Sequence, residues 1–352
     1  MKKILKWYLL IPLLAFLAYF LNVFQLHLAG QIIVTLLLIG SILAAVFHSE
    51  LIAHKVGEPF GTIILAVSVT VIEVALIISL MLAGGDKTIY LARDTVFAAV
   101  MILLTVIIGL CILIGSYKHF EQVFQKKSVN TALVSLVAIL VLSLILPNFV
   151  GNEDPENNTA MLLFAAVICL IIYATFIYVQ TRRHRDYFIT ERENQHEEEH
   201  VSMPIYISLL FLLVSLVIVV LLAKTISPTI EKIILDLGLP ASLLGVIIAS
   251  VILLPEAIAA IKAARKDDIQ TSLNLSLGSS LAAIGLTIPT VAFVSVLFDI
   301  DIILGLDSIN GLLLGLTVFT VMLSLSKGRT NILYGVILIC LFATFIFTLL
   351  NP

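Results

Sequence analysis

Residues 60–85 read FGTIILAVSVTVIEVALIISLMLAGG, an apolar run whose only ionisable side chain, Glu73, stands near its middle. A hydrocarbon core about 30 Å thick is crossed by about 20 apolar helical residues, so the stretch is a membrane span by length alone. A charge at that depth costs about 2.5 to 3.5 kcal/mol on insertion scales, and intramembrane carboxylates mark ion or proton paths by default. The plainer alternative is a glutamate hydrogen-bonded between helices for packing. Thr70, three residues before Glu73, shares its helical face more closely than Ser68, five residues before. Their hydroxyls either complete an oxygen site or bond back to the backbone.

The rest of the chain agrees with a membrane setting. Of its 352 residues 61% are hydrophobic and 12% charged, against about 45 to 50% and about 25% in soluble domains. Hydropathy places spans at about 7–24, 30–47, 61–83, 95–115, 129–147, 159–180, 203–223, 239–262, 272–298, 308–325 and 330–350. The fold class expected is an all-α membrane protein of about 11 transmembrane helices in a 5+5 inverted-topology repeat plus one N-terminal helix. The lysines near the start resemble a signal peptide, but no small-residue cleavage motif follows Phe20, so the first span is expected to be retained.

Sixteen of the 20 lysines and arginines fall before the first span or in every second loop after it, including Lys55, Lys118, Lys126, Lys127, Arg182, Arg183, Lys262, Arg265 and Lys327. Lys87, Arg93, Lys224 and Lys232 make up the opposite set. The positive-inside rule therefore puts the N-terminus in the cytoplasm and the C-terminus outside. The outer loops carry Glu153, Asp154, Glu156, Asp299, Asp301 and Asp307, an acidic fringe that either concentrates cations or merely lacks basic residues. Between Arg182 and His200 the polar run RRHRDYFITERENQHEEEH reads as a solvated cytoplasmic linker, with Ca²⁺ or proton sensing by its acid and His cluster as the sharper alternative. The expected organisation is an N-terminal helix at 1–28, a first five-helix repeat at 29–181, the acidic linker at 182–202 and a second, inverted repeat at 203–352.

The second carboxylate of interest is Glu256, preceded by 19 uncharged residues and followed six positions later by Lys262. Pro255 beside it removes a backbone donor and clashes with the preceding turn, so a broken helix with freed carbonyls is expected there. Transporters coordinate cations at such breaks. Glu73 and Glu256 lie five spans apart, in helices that cross in opposite directions. GTIILAVSVTVIE from Gly61 and GVIIASVILLPE from Gly245 share a glycine, an aliphatic run and the glutamate with one gap. The next span supplies Gln270, Asn274, Ser279, Ser280 and Thr287, with Gly278 expected to admit close backbone approach; helix packing by small and hydroxylated residues is the alternative. Arg93 and Asp94 open the corresponding span of the first half and are expected to pair at the outer interface. Cys111, Cys169 and Cys340 stand singly in apolar runs and read as packing residues rather than metal or redox groups. With a net charge of −3 and no basic patch, a nucleic-acid partner is set aside.

From about residue 30 onward these segments resemble the ChaA-type calcium/proton antiporters of bacteria, within the calcium/cation antiporter superfamily. The likeness rests on GEPFGTIILAVSVTVIEVALI, the ARDT segment and LLPEAIAAIKAARKDDIQTSLNLSLGSSLAAIGLTIP. It implies a multi-pass protein of the bacterial inner membrane that exchanges cytoplasmic Ca²⁺, or in some members Na⁺ or K⁺, for external H⁺. It also implies that Glu73 and Glu256 carry the exchange. The wider superfamily has Gly-Asn shortly before each glutamate, whereas Val69 and Thr70, and Ile252 and Leu253, stand here. Only the glutamates, Gly278 and Ser279 therefore carry over as site residues.

The expected chemistry is competition. Carboxyl groups withdrawn from water and set close together favour protonation, so protons and metal exclude one another. Ca²⁺ takes about six to eight oxygens and favours carboxylates, and its binding releases protons. No resident cofactor is expected, only transported cations and protons, with the lipid bilayer as the other partner; nothing in the sequence addresses the oligomeric state. The rival class, an intramembrane enzyme, lacks HExxH, GxSxG or a paired-aspartate motif.

Overall fold

The computed structural model describes residues 6–56, 60–84, 89–150, 155–188, 203–240, 242–298 and 300–351. Glu153, Asp154, Asp299 and the acidic run beyond Phe188 lie outside them. Among the described residues there is no sheet, only an isolated bridge between Val123 and Arg329. That outcome follows from the solvent: where water cannot satisfy the main chain, a helix does so within one segment.

The early helices are α1 (Trp7–Phe20), α2 (His27–Val56), α3 (Phe60–Gly84), α4 (Leu91–Met101) and α5 (Ile108–His119). They are followed by α6 (Lys126–Leu140), the short α7 (Pro147–Val150), α8 (Pro155–Tyr178) and α9 (Ile205–Asp236). The later ones are α10 (Leu243–Ile252), α11 (Leu254–Arg265), α12 (Ile269–Gly285), α13 (Thr287–Phe298), α14 (Ser308–Leu325) and α15 (Ile332–Leu350). Wide π turns at Ile102–Ile107, Val141–Ile145 and Val179–Arg183 join α4 to α5 and extend α6 and α8. Among the described residues eight helical runs are long and apolar enough to cross a membrane, nine if the bent α10–α11 pair is one span. Trp7–Phe20 and Val67–Met81 are shorter apolar helices.

Several boundaries differ from expectation; α2, for one, runs to Val56 instead of about residue 47. The first helix stops at Phe20 instead of about residue 24, because Asn22 adopts the left-handed conformation (φ 51°) that asparagine tolerates, and a tight turn at Val23–Gln25 leads into α2. Helix α9 continues past about residue 223 to Asp236, through Pro228.

The chain forms two compact units, Met1–Gly84 with His196–Gly238, and Gly85–Gln195 with Leu239–Pro352. In the first unit α2 packs against α1, α3 and α9. Ala15, Val34, Ile218, Leu222 and Ile226 form one buried cluster there, and Tyr8, Ala44 and Met203 another. In the second unit α12 is the hub, touching α4, α5, α6, α8, α11 and α13. Hydroxyls along these helices mostly return to their own backbone, as Ser143 does to Ile139 and Ser250 to Val246, which hides them from lipid. At one end of this unit Gln122 ties three connections together. Its main-chain N–H donates to Thr330 Oγ1 (3.0 Å), and its side-chain amide donates to Asp267 Oδ1 (3.0 Å) and the Ala264 carbonyl (3.2 Å).

Helices α5 and α15 meet through glycines. A Cβ built on Gly335 would lie 2.8 Å from the Gly109 carbonyl oxygen and 2.9 Å from the Leu113 nitrogen, both rigid main-chain atoms. Such contact is how membrane helices associate without a hydrophobic drive between them. Gly335→Val should therefore destabilise the fold by about 1 to 3 kcal/mol, the usual range for overpacking. A lowered thermal unfolding midpoint in detergent is the reading that checks it.

Candidate cation site

Helix α3 holds Glu73 on a face shared with other buried residues. Thr70, Ile72, Glu73, Val74 and Ile77 are buried, whereas Val67 and Val71 on the opposite side are exposed. Glu73 itself is 4% exposed, so its carboxyl faces protein and not lipid. Ser68 is buried as well, and all three polar side chains lie in the first unit.

Glu256 is presented differently. A continuous helix would have the amide of residue 255 donate to the carbonyl of Val251, and proline has no such hydrogen and clashes there. The chain accordingly breaks at Leu253, and α10 and α11 diverge by 56°. Leu253 still donates to Ala249 (3.0 Å) and Ala257 to Leu253 (2.9 Å), so the break is confined to about one turn. Pro255 then occupies the start of α11, where a missing N–H is harmless. Glu256 follows in the first turn, at the positive end of the α11 dipole, 7% exposed.

Helix α12 is fastened to α11 by Ser272, whose hydroxyl donates to the Ala260 carbonyl at 2.7 Å. This serine escaped sequence reading because its acceptor is a main-chain atom that has no signature. Ser280 is fully buried and returns to Ser276 (2.8 Å), and Ser279 is half-buried on the same turn. Gly278 departs from expectation: among the described residues a Cβ there would meet nothing within 4 Å, so no described backbone closes on it and the glycine keeps space open instead. Asn274 is engaged elsewhere. Its amide donates to the Phe188 carbonyl (3.0 Å), and its oxygen accepts from Gln270 (2.8 Å). Gln270 in turn donates to Ser128 (2.8 Å) and accepts from the Gln125 N–H (2.6 Å). The two amides thus anchor the beginning of the linker and the start of α6 on α12. Lys127 over the Tyr187 ring and Phe176 against Phe188 hold the same segment.

Arg93 and Asp94 do pair, at 2.9 Å, and Arg93 also donates to the Gly305 carbonyl (2.7 Å) and lies over the Tyr90 ring. The pair fastens the start of α4 to the loop before α14. Gly245 of α10 rests on this point, its Cβ direction 3.2 Å from main-chain atoms of Asp94 and Thr95. The structure therefore sets α12 beside α11, which carries Glu256, and places Arg93 and Asp94 at the start of α4. Glu73 with Thr70 and Ser68 belongs to the first unit and Glu256 with the α12 residues to the second. Among the described residues no three His, Cys, Asp or Glu side chains cluster as a metal cage. A cation held by either glutamate would draw its other oxygens from hydroxyls, main-chain carbonyls and water.

The sodium/calcium exchanger protein family matches residues 4–182 and 207–351. A putative ionic transporter of Sinorhizobium fredii, y4hA, is 43% identical over 314 residues, 88% of this chain and 85% of that protein. The sodium-potassium/proton antiporter ChaA of Escherichia coli is 30% identical over 351 residues, 97% of this chain and 95% of that one. Among solved structures, native YfkE superposes with a TM-score of 0.74 at 14% identity, covering 96% of this chain and all of that one. The H⁺/Ca²⁺ exchanger CAX does so with 0.68 at 17% identity, covering 96% and 87%. These two likenesses concern the fold.

Replacing Asn274 by leucine removes the amide that holds Phe188 and Gln270. Stability should fall by about 1 to 3 kcal/mol, the range for leaving buried polar partners unmade. The cation concentration for half-maximal exchange should stay unchanged, which side-by-side unfolding and transport titrations will read.

Proposed function

We propose that this chain, which belongs to the sodium/calcium exchanger protein family, is a secondary antiporter that moves a cation against protons across a membrane, with Ca²⁺ as the favoured cation. It is a transporter and not an enzyme. Glu73 and Glu256 are the groups on which protons and cation compete. Thr70, Ser68, Ser279 and Ser280 lend hydroxyl oxygens, the break before Pro255 lends carbonyls, and Gly278 leaves room. Eleven spans in two inverted halves, a cytoplasmic N-terminus and an outer C-terminus in a bacterial inner membrane complete the reading.

The observation that carries it is a buried carboxyl in the first turn of a half-helix, directly after a proline break. Such a carboxyl is costly when ionised and alone, and tolerable when it holds either a proton or a metal ion. With the two glutamates cancelling the +2 of Ca²⁺, a site that changes its exposure only when charge-compensated by cation or by protons couples the ions without leak. The supporting detail is local: the Glu256 carboxyl is buried and stands at the positive end of α11.

The name of the Escherichia coli relative, a sodium-potassium/proton antiporter, favours a second reading in which Na⁺ or K⁺ is the cation. Purified protein in proteoliposomes, with proton movement recorded against Ca²⁺, Na⁺, K⁺ and Mg²⁺ added singly, separates the two. In everted vesicles Glu73→Gln and Glu256→Gln should each reduce cation-dependent proton flux to background, because the amide keeps the volume and cannot release a proton. Undiminished flux in either variant would remove that glutamate from the mechanism.

A further inference from the structure

His48 stands in α2, within the first unit, and its side chain is completely buried. Three helices enclose it. Tyr8 of α1 meets its ring edge-on (5.7 Å between centroids), Phe47 of its own helix does the same (5.7 Å), and Phe211 of α9 stacks on it (5.6 Å). Nε2 lies 3.2 Å from the Tyr8 main-chain carbonyl. A carbonyl only accepts, so Nε2 carries the hydrogen and Nδ1 is left as a bare lone pair. Among the described residues Nδ1 has no hydrogen-bond partner, and the same holds for the buried hydroxyls of Ser208 and Ser215, three residues before and four after Phe211 on one face of α9. Ser41, Ser135, Ser143 and Ser250 turn back to their own helix, and these two do not.

We propose that His48 is a second proton-binding site, separate from the two glutamates, and that loading it at Nδ1 loosens the packing of α1, α2 and α9 and slows exchange. The neutral ring fits its surroundings, because Nε2 has its acceptor and the rest of the ring touches aromatic faces. Adding a proton creates a buried cation with a donor that has no acceptor. The face of Phe211 offsets only part of that, through cation–π attraction. What remains favours the ring's withdrawal from the three-helix contact, since a buried unsatisfied charge is the costliest state available.

Among the described residues few other charges lie near this ring. From α1 the titratable group facing it is Tyr8, with Lys6 just before the helix and Tyr19 at the other end. From α9 it is faced by Phe211; Tyr206 is exposed, and Lys224, Glu231, Lys232 and Asp236 lie roughly three or more turns away. The ionisable group on α3 is Glu73. On α2 itself Glu50 is exposed and Lys55 donates to the Met203 carbonyl.

The test uses the full chain in proteoliposomes, with cation-driven proton flux measured across the imidazole range of about pH 5 to 8. His48→Gln retains a donor for the Tyr8 carbonyl and cannot take up a proton there. Its acid limb should lie lower than that of the wild type by about one pH unit, tenfold in proton concentration. A superimposable profile would overturn the proposal. Histidine-selective NMR of the wild-type protein gives a second reading that does not need transport, with the ring identified by its contacts to Tyr8 and Phe211. Protonation at Nδ1 in that range supports the proposal, and a ring that stays neutral throughout refutes it. Because this reading is blind to ion flux, failure of the antiport function and failure of the His48 site can be told apart.

Discussion

A carboxyl group in hydrocarbon has no water to stabilise its charge, so the protein must neutralise it, surround it with donors, or bury it where a counter-ion can come and go. The placement of Glu73 and Glu256 answers to that constraint. Both face protein, one on the buried stripe of an unbroken helix and the other in the first turn of a half-helix. The surrounding elements follow from the same requirement. Hydroxyls fold back on their own helices, π turns keep main-chain groups paired, and the proline break is limited to one turn so that few carbonyls are released.

The second unit is organised around α12, which touches most of its neighbours and carries small and hydroxylated residues where it does so. Ser272 fixes it to α11, and the amides of Gln270 and Asn274 fix it to α6 and to the beginning of the linker. The polar residues of this helix thus divide the work by depth. Those near its start hold other elements in place, and the Gly278–Ser280 turn, farther in, keeps open space beside a glycine. Arg93 and Asp94 do the equivalent fastening at the start of α4. Among the described residues the Arg93–Asp94 pair and the amides of Gln122, Gln270 and Asn274 serve geometry.

The membrane class, the positions of the two glutamates and the break at Pro255 could be read from sequence because each depends on a local property: length of an apolar run, the cost of one charge at depth, a missing N–H. The roles of Asn274 and Gly278 could not, since the first depends on the carbonyl of Phe188, far away in the chain, and the second on which neighbours stay away. His48 was passed over for the same reason. In SILAAVFHSEL it looks like a residue near the end of a span, and two of the three rings that enclose it, Tyr8 and Phe211, come from helices far before and after it. The two compact units were equally hidden, because each draws helices from both halves of the chain and no local pattern records which helices pack together.

The break at Leu253 separates two arms with different companions. One arm, α10, lies on α4 through Gly245, whereas α11 is held by α12 and α5. A straight helix behaves as a stiff rod and would hand any push at one end directly to the other. Here the joint absorbs it, so the arm that answers to α4 can tilt or slide by a small amount while the carboxyl of Glu256 keeps the bearing set by α12.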